Sequence, residues 1–301
     1  MTISSESIDL HAVKSALKKE QNKILWRQIM TNGSLVVGFV IIAFLILVAL
    51  FGPLLMKHDP NTMDVLKRFA APSADHWFGT DNLGRDVLAR VIYGTRISMG
   101  IGVAVAIIAS MSGLIVGIYS SYYKWLDHLL MRLSDGIMAF PGLLLALALM
   151  AALGGQASNV VIAVSIVATP YIARVVRSEA LALKEQTFVE ATRALGASDS
   201  RIIWQHIAPN TLSSLIVQAT FIFAEAIIVE AALSFLGAGI PPPAPSWGNI
   251  LSDGKTYIYK AWWMTFFPGM TITLAIIGLN LFGDGLRDLL DPHVSKAKNN
   301  E

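Results

Sequence analysis

Two acidic residues, Glu225 and Glu230, sit inside an apolar run from Leu212 to Leu236. A carboxylate in such a run is costly unless it is paired or faces water. Each is therefore a candidate for a translocation path, a proton relay or a helix–helix hydrogen bond. Five residues apart on a helix, they stand about 140° apart and cannot line one narrow face. The other reactive side chains point to little chemistry. The histidines (His11, His58, His76, His128, His206, His293) are scattered and show no HExxH or paired-ligand spacing. There is no phosphate-binding G-x-x-x-x-G-K-[ST] loop and no G-x-S-x-G elbow. There is no cysteine, which excludes a thiolate nucleophile, a disulfide or a thiolate-held metal. The expectation is a chain with no catalytic residue, no bound cofactor and no metal ligands.

Three polar islands stand out from the apolar background. The first runs from Ser178 to Asn210. It contains Glu190-Ala191-Thr192-Arg193-Ala194-Leu195-Gly196, then Ala197, and later His206-Ile207-Ala208-Pro209-Asn210. Ser178 to Leu195 holds neither Pro nor Gly and predicts a helix that Gly196 ends. Ser198 can cap a second helix over Asp199–His206, which Pro209 is expected to stop. Leu181, Leu183, Phe188, Ala191, Ala194 and Leu195 offer apolar contacts, with Glu190, Arg193 and Arg201 as charge at the rim. Such a knob can fit a groove on a partner. The second island is His76-Trp77-Phe78-Gly79-Thr80-Asp81-Asn82-Leu83-Gly84-Arg85-Asp86, turn formers followed by a short amphipathic helix. Arg85 and Asp86 are read there either as a structural collar or as substrate contacts. The third, Asp284, Arg287, Asp288 and Asp291, offers an i,i+3 pair between Asp284 and Arg287 at a helix end.

The elements carrying these islands must cross a bilayer. Of the 301 residues, 54% are hydrophobic and 15% charged, well below the roughly one quarter charged in soluble domains. Runs near the ~20 residues that span hydrocarbon occur at Ser34–Met56, Ile97–Tyr122, Leu133–Leu153, Asn159–Val175, Leu212–Leu236 and Trp262–Phe282. Six spans put both termini on one side. Fifteen of the 23 lysines and arginines fall on the side of the termini and eight on the other, so the termini are expected to be cytoplasmic. Leu10, Val13 and Leu17 at helical spacing, with Lys19, Lys23 and Arg27 on another stripe, predict an amphipathic N-terminal helix. Pro141, Pro170 and Pro268 interrupt spans and can kink them. Gly113 and Gly117 form a small-xxx-small packing pair.

The order Glu190-Ala191, then Gly196, then Pro209 thirteen residues on, resembles the EAA loop of ABC importer permeases, with Thr192 in place of the pattern's alanine. The His76–Asp86 island resembles the C-type permeases of the dipeptide, oligopeptide and nickel importers. So do Leu233-Ser234-Phe235-Leu236-Gly237, Pro245-Ser246-Trp247-Gly248 and Asn280-Leu281-Phe282-Gly283-Asp284-Gly285-Leu286-Arg287-Asp288. The resemblance implies an all-α, six-span permease of the type I ABC importer (MetI-like) fold. Its expected parts are a cytoplasmic tail 1–33, a peripheral first span 34–56, an extracytoplasmic loop 57–96, a core 97–288 with the EAA loop at 178–210, and a tail 289–301. It implies a non-enzymatic subunit of an ATP-driven importer in a bacterial or archaeal plasma membrane. A B-type permease, two cytoplasmic ATPases carrying ATP and Mg, and an extracytoplasmic binding protein would complete the importer. No nucleic acid is involved. Glu190, Ala191, Thr192, Arg193, Leu195, Gly196, Ala197, His206 and Pro209 would then couple to the ATPase, and Glu225 or Glu230 would line the path. Short peptides are the expected cargo. Nickel, chelated metals, glutathione or oligosaccharides are the alternatives. An ion-coupled secondary transporter using Glu225 or Glu230 is a reading of another class.

Overall fold

The computed structural model describes residues 10–290. Ten helices follow in order: α1 (Leu10–Thr31), α2 (Gly33–Leu55), α3 (Val87–Tyr122), α4 (Lys124–Met138), α5 (Gly142–Leu153), α6 (Ala157–Lys184), α7 (Thr187–Ala194), α8 (Asp199–Phe235), α9 (Trp247–Lys255) and α10 (Trp263–Leu290). Five of them, α2, α3, α6, α8 and α10, are long and apolar enough to cross a membrane.

The expected third span is not one straight helix. It divides into α4 and α5, which meet at 93°. The chain turns at Ala139–Pro141, where Pro141 stands just before the first residue of α5. A proline there needs no backbone donor, so it starts a helix readily and cannot continue the one before it. Six crossings result only if this bent pair counts as one. Pro170 and Pro268 lie inside α6 and α10 without ending them. The short helix expected before the second span is the first part of α3, which runs unbroken for 36 residues.

The bundle centres on α3, packed against α6 and α8, while α10 packs against α8 and α2. Gly113 and Gly117 do form a packing face. A β-carbon at Gly113 would press on Ile172 at 2.6 Å, and one at Gly117 on the Ala173 carbonyl at 2.6 Å. The same device joins α2 to α10, where Gly278 meets Ile41 and Gly285 meets Leu35. Small residues let backbones approach where lipid offers no hydrophobic drive between helices.

The N-terminal helix forms as expected. The side chains of Leu10, Val13 and Leu17, on which its amphipathic reading rests, lie outside the described residues, as do His293 and Asp291. Asp284 and Arg287 are both exposed, and no ion pair joins them among the described residues. Helical spacing brings two such side chains within reach, but exposed pairs gain little from meeting.

Candidate coupling knob and translocation face

The Ser178–Asn210 block is built at the end of α3 distant from Val87. Lys184 closes α6 by donating to the Ser121 and Tyr122 carbonyls, each at 3.3 Å. The helix breaks there, at Glu185 and Gln186, rather than running on to Leu195 as its composition allows. Tertiary contact overrides propensity at this point. The break lets α7 fold back so that Val189 is buried with Ala180, Ile202 and Ile207.

The end of α7 behaves as its sequence predicts. Gly196 has φ +78°. The Gly196 N–H donates to the Arg193 carbonyl at 2.9 Å and the Ala197 N–H to the Thr192 carbonyl at 3.3 Å. This paired closure of a helix end needs a left-handed residue, the conformation glycine adopts without strain. Ser198 stands at the start of α8, but its side chain makes no capping bond. Asp199 does the anchoring instead, accepting from the Tyr122 hydroxyl at 2.5 Å.

Pro209 does not stop the second helix. α8 runs on from Asp199 to Phe235, through a widened π stretch at Ile202–Ile207. The Ala208 N–H reaches back five residues to the Ile203 carbonyl. That extra residue in the turn shifts the register just ahead of the proline, which has no N–H to offer and a ring that crowds an ordinary turn.

The resulting knob is anchored from within and apolar without. Leu195 is 88% exposed, and Phe188 and Leu181 are exposed too. Glu190, Ala191 and Arg193 share the exposed surface, while Thr192 and Ala197 are half-buried. His206 is half-buried, with its ring 6.4 Å from that of Phe188. The structure thus gathers Glu190 through Ala197 with His206 in one knob. Pro209 lies just beyond, exposed on α8. Below the knob, Arg177 grips Asp127 with two bonds of 2.6 and 2.7 Å, tying α6 to α4.

The two intramembrane glutamates separate. Glu230 is 0% exposed. The Ser98 and Ser234 hydroxyls donate to its two carboxylate oxygens, both at 2.9 Å. The Trp247 N–H donates to Ser98 Oγ at 3.3 Å, so one carboxylate joins α3, α8 and α9. Glu230 is therefore enclosed within the helix packing and lies on no open face. Glu225 is exposed. It shares a stripe of α8 with Ser214, Gln218 and Phe221, at helical spacing. Those three residues, with Glu179, Val175 and Arg287, line a cavity of about 460 Å³ between α6, α8 and the end of α10.

The opposite end of the bundle is a buried ionic collar. Asp81 accepts from Arg85 Nε at 2.6 Å and from the backbone N–H groups of Leu83 and Arg85. Asp253 on α9 accepts from Arg85 Nη2 at 3.0 Å and faces Arg90 at 3.5 Å. Asp86 caps α3 through the Ala89 N–H and bonds His76 Nδ1 at 2.8 Å. Gly84 has φ +78°, and a β-carbon there would also overlap the Asp64 carbonyl oxygen, so glycine is required twice over. Arg85 and Asp86 are both buried, which makes them the structural collar. Outside this core, hydrogen bonds from Lys57 and Lys67 lower the exposed Asp75 carboxyl to about 2. Sequence spacing gave no sign of Asp253 or Ser98 as partners, whereas Ser234 stands at helical i,i+4 spacing from Glu230. Asp253 is 168 residues from Arg85, and Ser98 is 132 from Glu230.

Residues 109–296 match the binding-protein-dependent transport system inner membrane component family, and residues 21–72 match the N-terminal transmembrane domain of oligopeptide transport permease C. The chain belongs to this family of transport permeases. It is a multi-pass membrane protein. A Brucella abortus biovar 1 protein, provisionally named a peptide transport system permease, is 47% identical over 89% of this chain and 90% of its own length. The dipeptide transport system permease protein DppC of Alkalihalophilus pseudofirmus is 44% identical over 89% of this chain and 88% of its own. The glutathione transport system permease protein GsiD of Escherichia coli O6:K15:H31 is 42% identical over 89% of each. Among solved structures, the inward-facing MetNI methionine ABC transporter shares the fold, with TM-score 0.56 at 18% identity. That match covers 67% of this chain and 96% of that one. The all-α importer-permease fold expected from the sequence is the one found.

Proposed function

We propose that this permease conducts short peptides, dipeptides or somewhat longer ones, in an ATP-driven importer. Two cytoplasmic ATPase subunits carry the ATP and Mg, a B-type permease forms the other half of the pathway, and an extracytoplasmic binding protein delivers cargo. The knob carries this reading. Exposed Leu195 and Phe188, on a short helix whose end is fixed by Gly196 and which is anchored through Val189, have the form of a plug for a partner's groove. ATP-driven closure of the ATPase pair moves the two knobs as rigid bodies and tips the bundle from inward-facing to outward-facing. The work is a population shift between two packings, with no bond made to cargo.

The excess of Lys and Arg on the knob's side supports a plasma membrane orientation with both termini cytoplasmic. The stripe Ser214, Gln218, Phe221 and Glu225, with the cavity below it, supports a polar path on that face of α8. Glu225 there is suited to a peptide's amino terminus. The peptide cargo is supported by the names of the relatives. The test is uptake in cells lacking this gene, with labelled dipeptide, longer peptide, glutathione and nickel in parallel. Peptide uptake should fall and return with the wild-type gene. Intact peptide uptake with lost glutathione or nickel uptake overturns the peptide assignment. Uptake that persists with no ATPase present overturns the ATP-driven reading.

A further inference from the structure

His58 follows the end of α2, and His76 lies in the island before α3. The chain brings their rings to 4.8 Å between centroids. One donor atom from each, with one from the Asp86 carboxylate, falls within 4.8 Å of the others. His76 is 7% exposed, and its two nitrogens differ. Nδ1 stands 2.8 Å from Asp86 Oδ2. An ionised carboxylate only accepts, so Nδ1 carries a proton, and in the neutral ring Nε2 is then the lone-pair nitrogen. Nε2 is buried and has no hydrogen-bond partner. It points to the Asp75 carboxylate, 3.6 Å from Oδ2. His58 Nε2 lies 3.7 Å from Asp75 Oδ1 and 3.2 Å from the Asp75 backbone carbonyl oxygen, a hydrogen bond that a cation would have to replace.

A basic nitrogen left buried and unpaired is costly. A cation shared with His58 and Asp75 removes that cost. Ligands about 2.0–2.2 Å from a tetrahedral ion stand roughly 3.3–3.5 Å from each other, and each ring nitrogen stands 3.6–3.7 Å from one of the two Asp75 oxygens. A carboxylate on the far ring nitrogen is the usual device for orienting a histidine toward a metal.

We infer that His58, His76 and Asp75 form a binding site for a divalent transition cation of the zinc class, with Asp86 as the positioning residue for His76. Imidazole with carboxylate suits zinc, and copper and nickel compete for such donors. Lys57 and Lys67 hold Asp75 from outside at 3.2 Å, with exposed side chains that return to water when the cation takes the carboxylate. The ion would staple the end of α2 to the start of α3. The site is independent of which cargo crosses the membrane.

The full-length chain, purified without a histidine tag and stripped with chelator, is titrated with Zn²⁺ against a chromophoric competitor. One Zn²⁺ per chain is expected, raising the unfolding midpoint. His58→Ala and Asp75→Asn, both outside the buried core, should weaken binding tenfold or more while leaving the metal-free unfolding profile unchanged. Asp86→Asn should weaken it about 10- to 100-fold. His128→Ala should bind like wild type. Loading with Co²⁺ should give visible tetrahedral bands in wild type that His58→Ala loses. Wild-type chain that holds no stoichiometric Zn²⁺, or His58→Ala and Asp75→Asn that hold it as tightly as wild type, overturns the site.

Discussion

The two ends of the bundle spend their polar and apolar side chains in opposite ways. At the collar, Arg85, Arg90 and Asp81 are turned inward and meet one another and Asp253. At the knob, Leu195 and Phe188 are turned outward and exposed. Charges buried together fix a geometry, because any one of them left alone is penalised. Apolar groups left in water fix nothing by themselves and gain only when something covers them. The collar therefore reads as an end that holds its shape, and the knob as an end that waits for a partner.

The contrast can be broken by substitution, and the collar should give the largest effect. Asp81→Asn leaves two buried guanidinium groups with less compensation. It should cost about 3–5 kcal/mol, seen as loss of monodisperse protein in size exclusion and a lower unfolding midpoint. Leu195→Asp should do the reverse. Folding should stay within about 0.5 kcal/mol of wild type. Uptake should fall roughly 30-fold, the loss of a ~2 kcal/mol hot spot at a partner interface. If Leu195→Asp unfolds the protein, the two ends are not different in kind.

Smaller changes sharpen the same contrast. Glu230→Leu strands the Ser98 and Ser234 hydroxyls and should destabilise by about 1–3 kcal/mol in thermal unfolding. At Gly196 a β-carbon finds nothing within 4 Å. Any penalty there is backbone strain, about 1–2 kcal/mol for Gly196→Val and less for Gly196→Asn. A Gly196→Asn chain that folds normally but loses uptake would show that the partner needs this spot bare. The smallest effect on folding is expected from Glu225→Gln, within about 0.5 kcal/mol. On the proposed path its mark is a change in peptide uptake at unchanged unfolding midpoint.

The legible parts of this chain were those set by local rules. Gly196 ends α7 because a left-handed residue must stand there, and the sequence says glycine. Apolar length announces the spans, and the pair Gly113–Gly117 announces close packing. What escaped was set by contacts across the chain. Nothing near Glu185 shows that Lys184 will be caught by two carbonyls of α3. Pro141 marked where Leu133–Leu153 could bend, but not that the bend would reach 93°. Pro209 looked like a terminator because its own turn is all a local reading can see, and the compensating π stretch lies upstream. Of the two glutamates, spacing showed that they face apart. Only the positions of Ser98 and Ser234 show which is sealed in.

Because Pro209 fails to stop it, α8 is one shaft from the knob to Glu225. Over the 26 residues between Asp199 and Glu225 that is about 39 Å. A twist applied at Asp199 arrives at the far end as a twist, with no loop to absorb it. The wide turn at Ile202–Ile207 is the one place on the shaft that holds a spare residue. If that residue is passed along the helix, everything ahead of it turns by about 100° relative to everything behind. The sequence thus carries, in a single overfull turn, the makings of a click stop between its two ends.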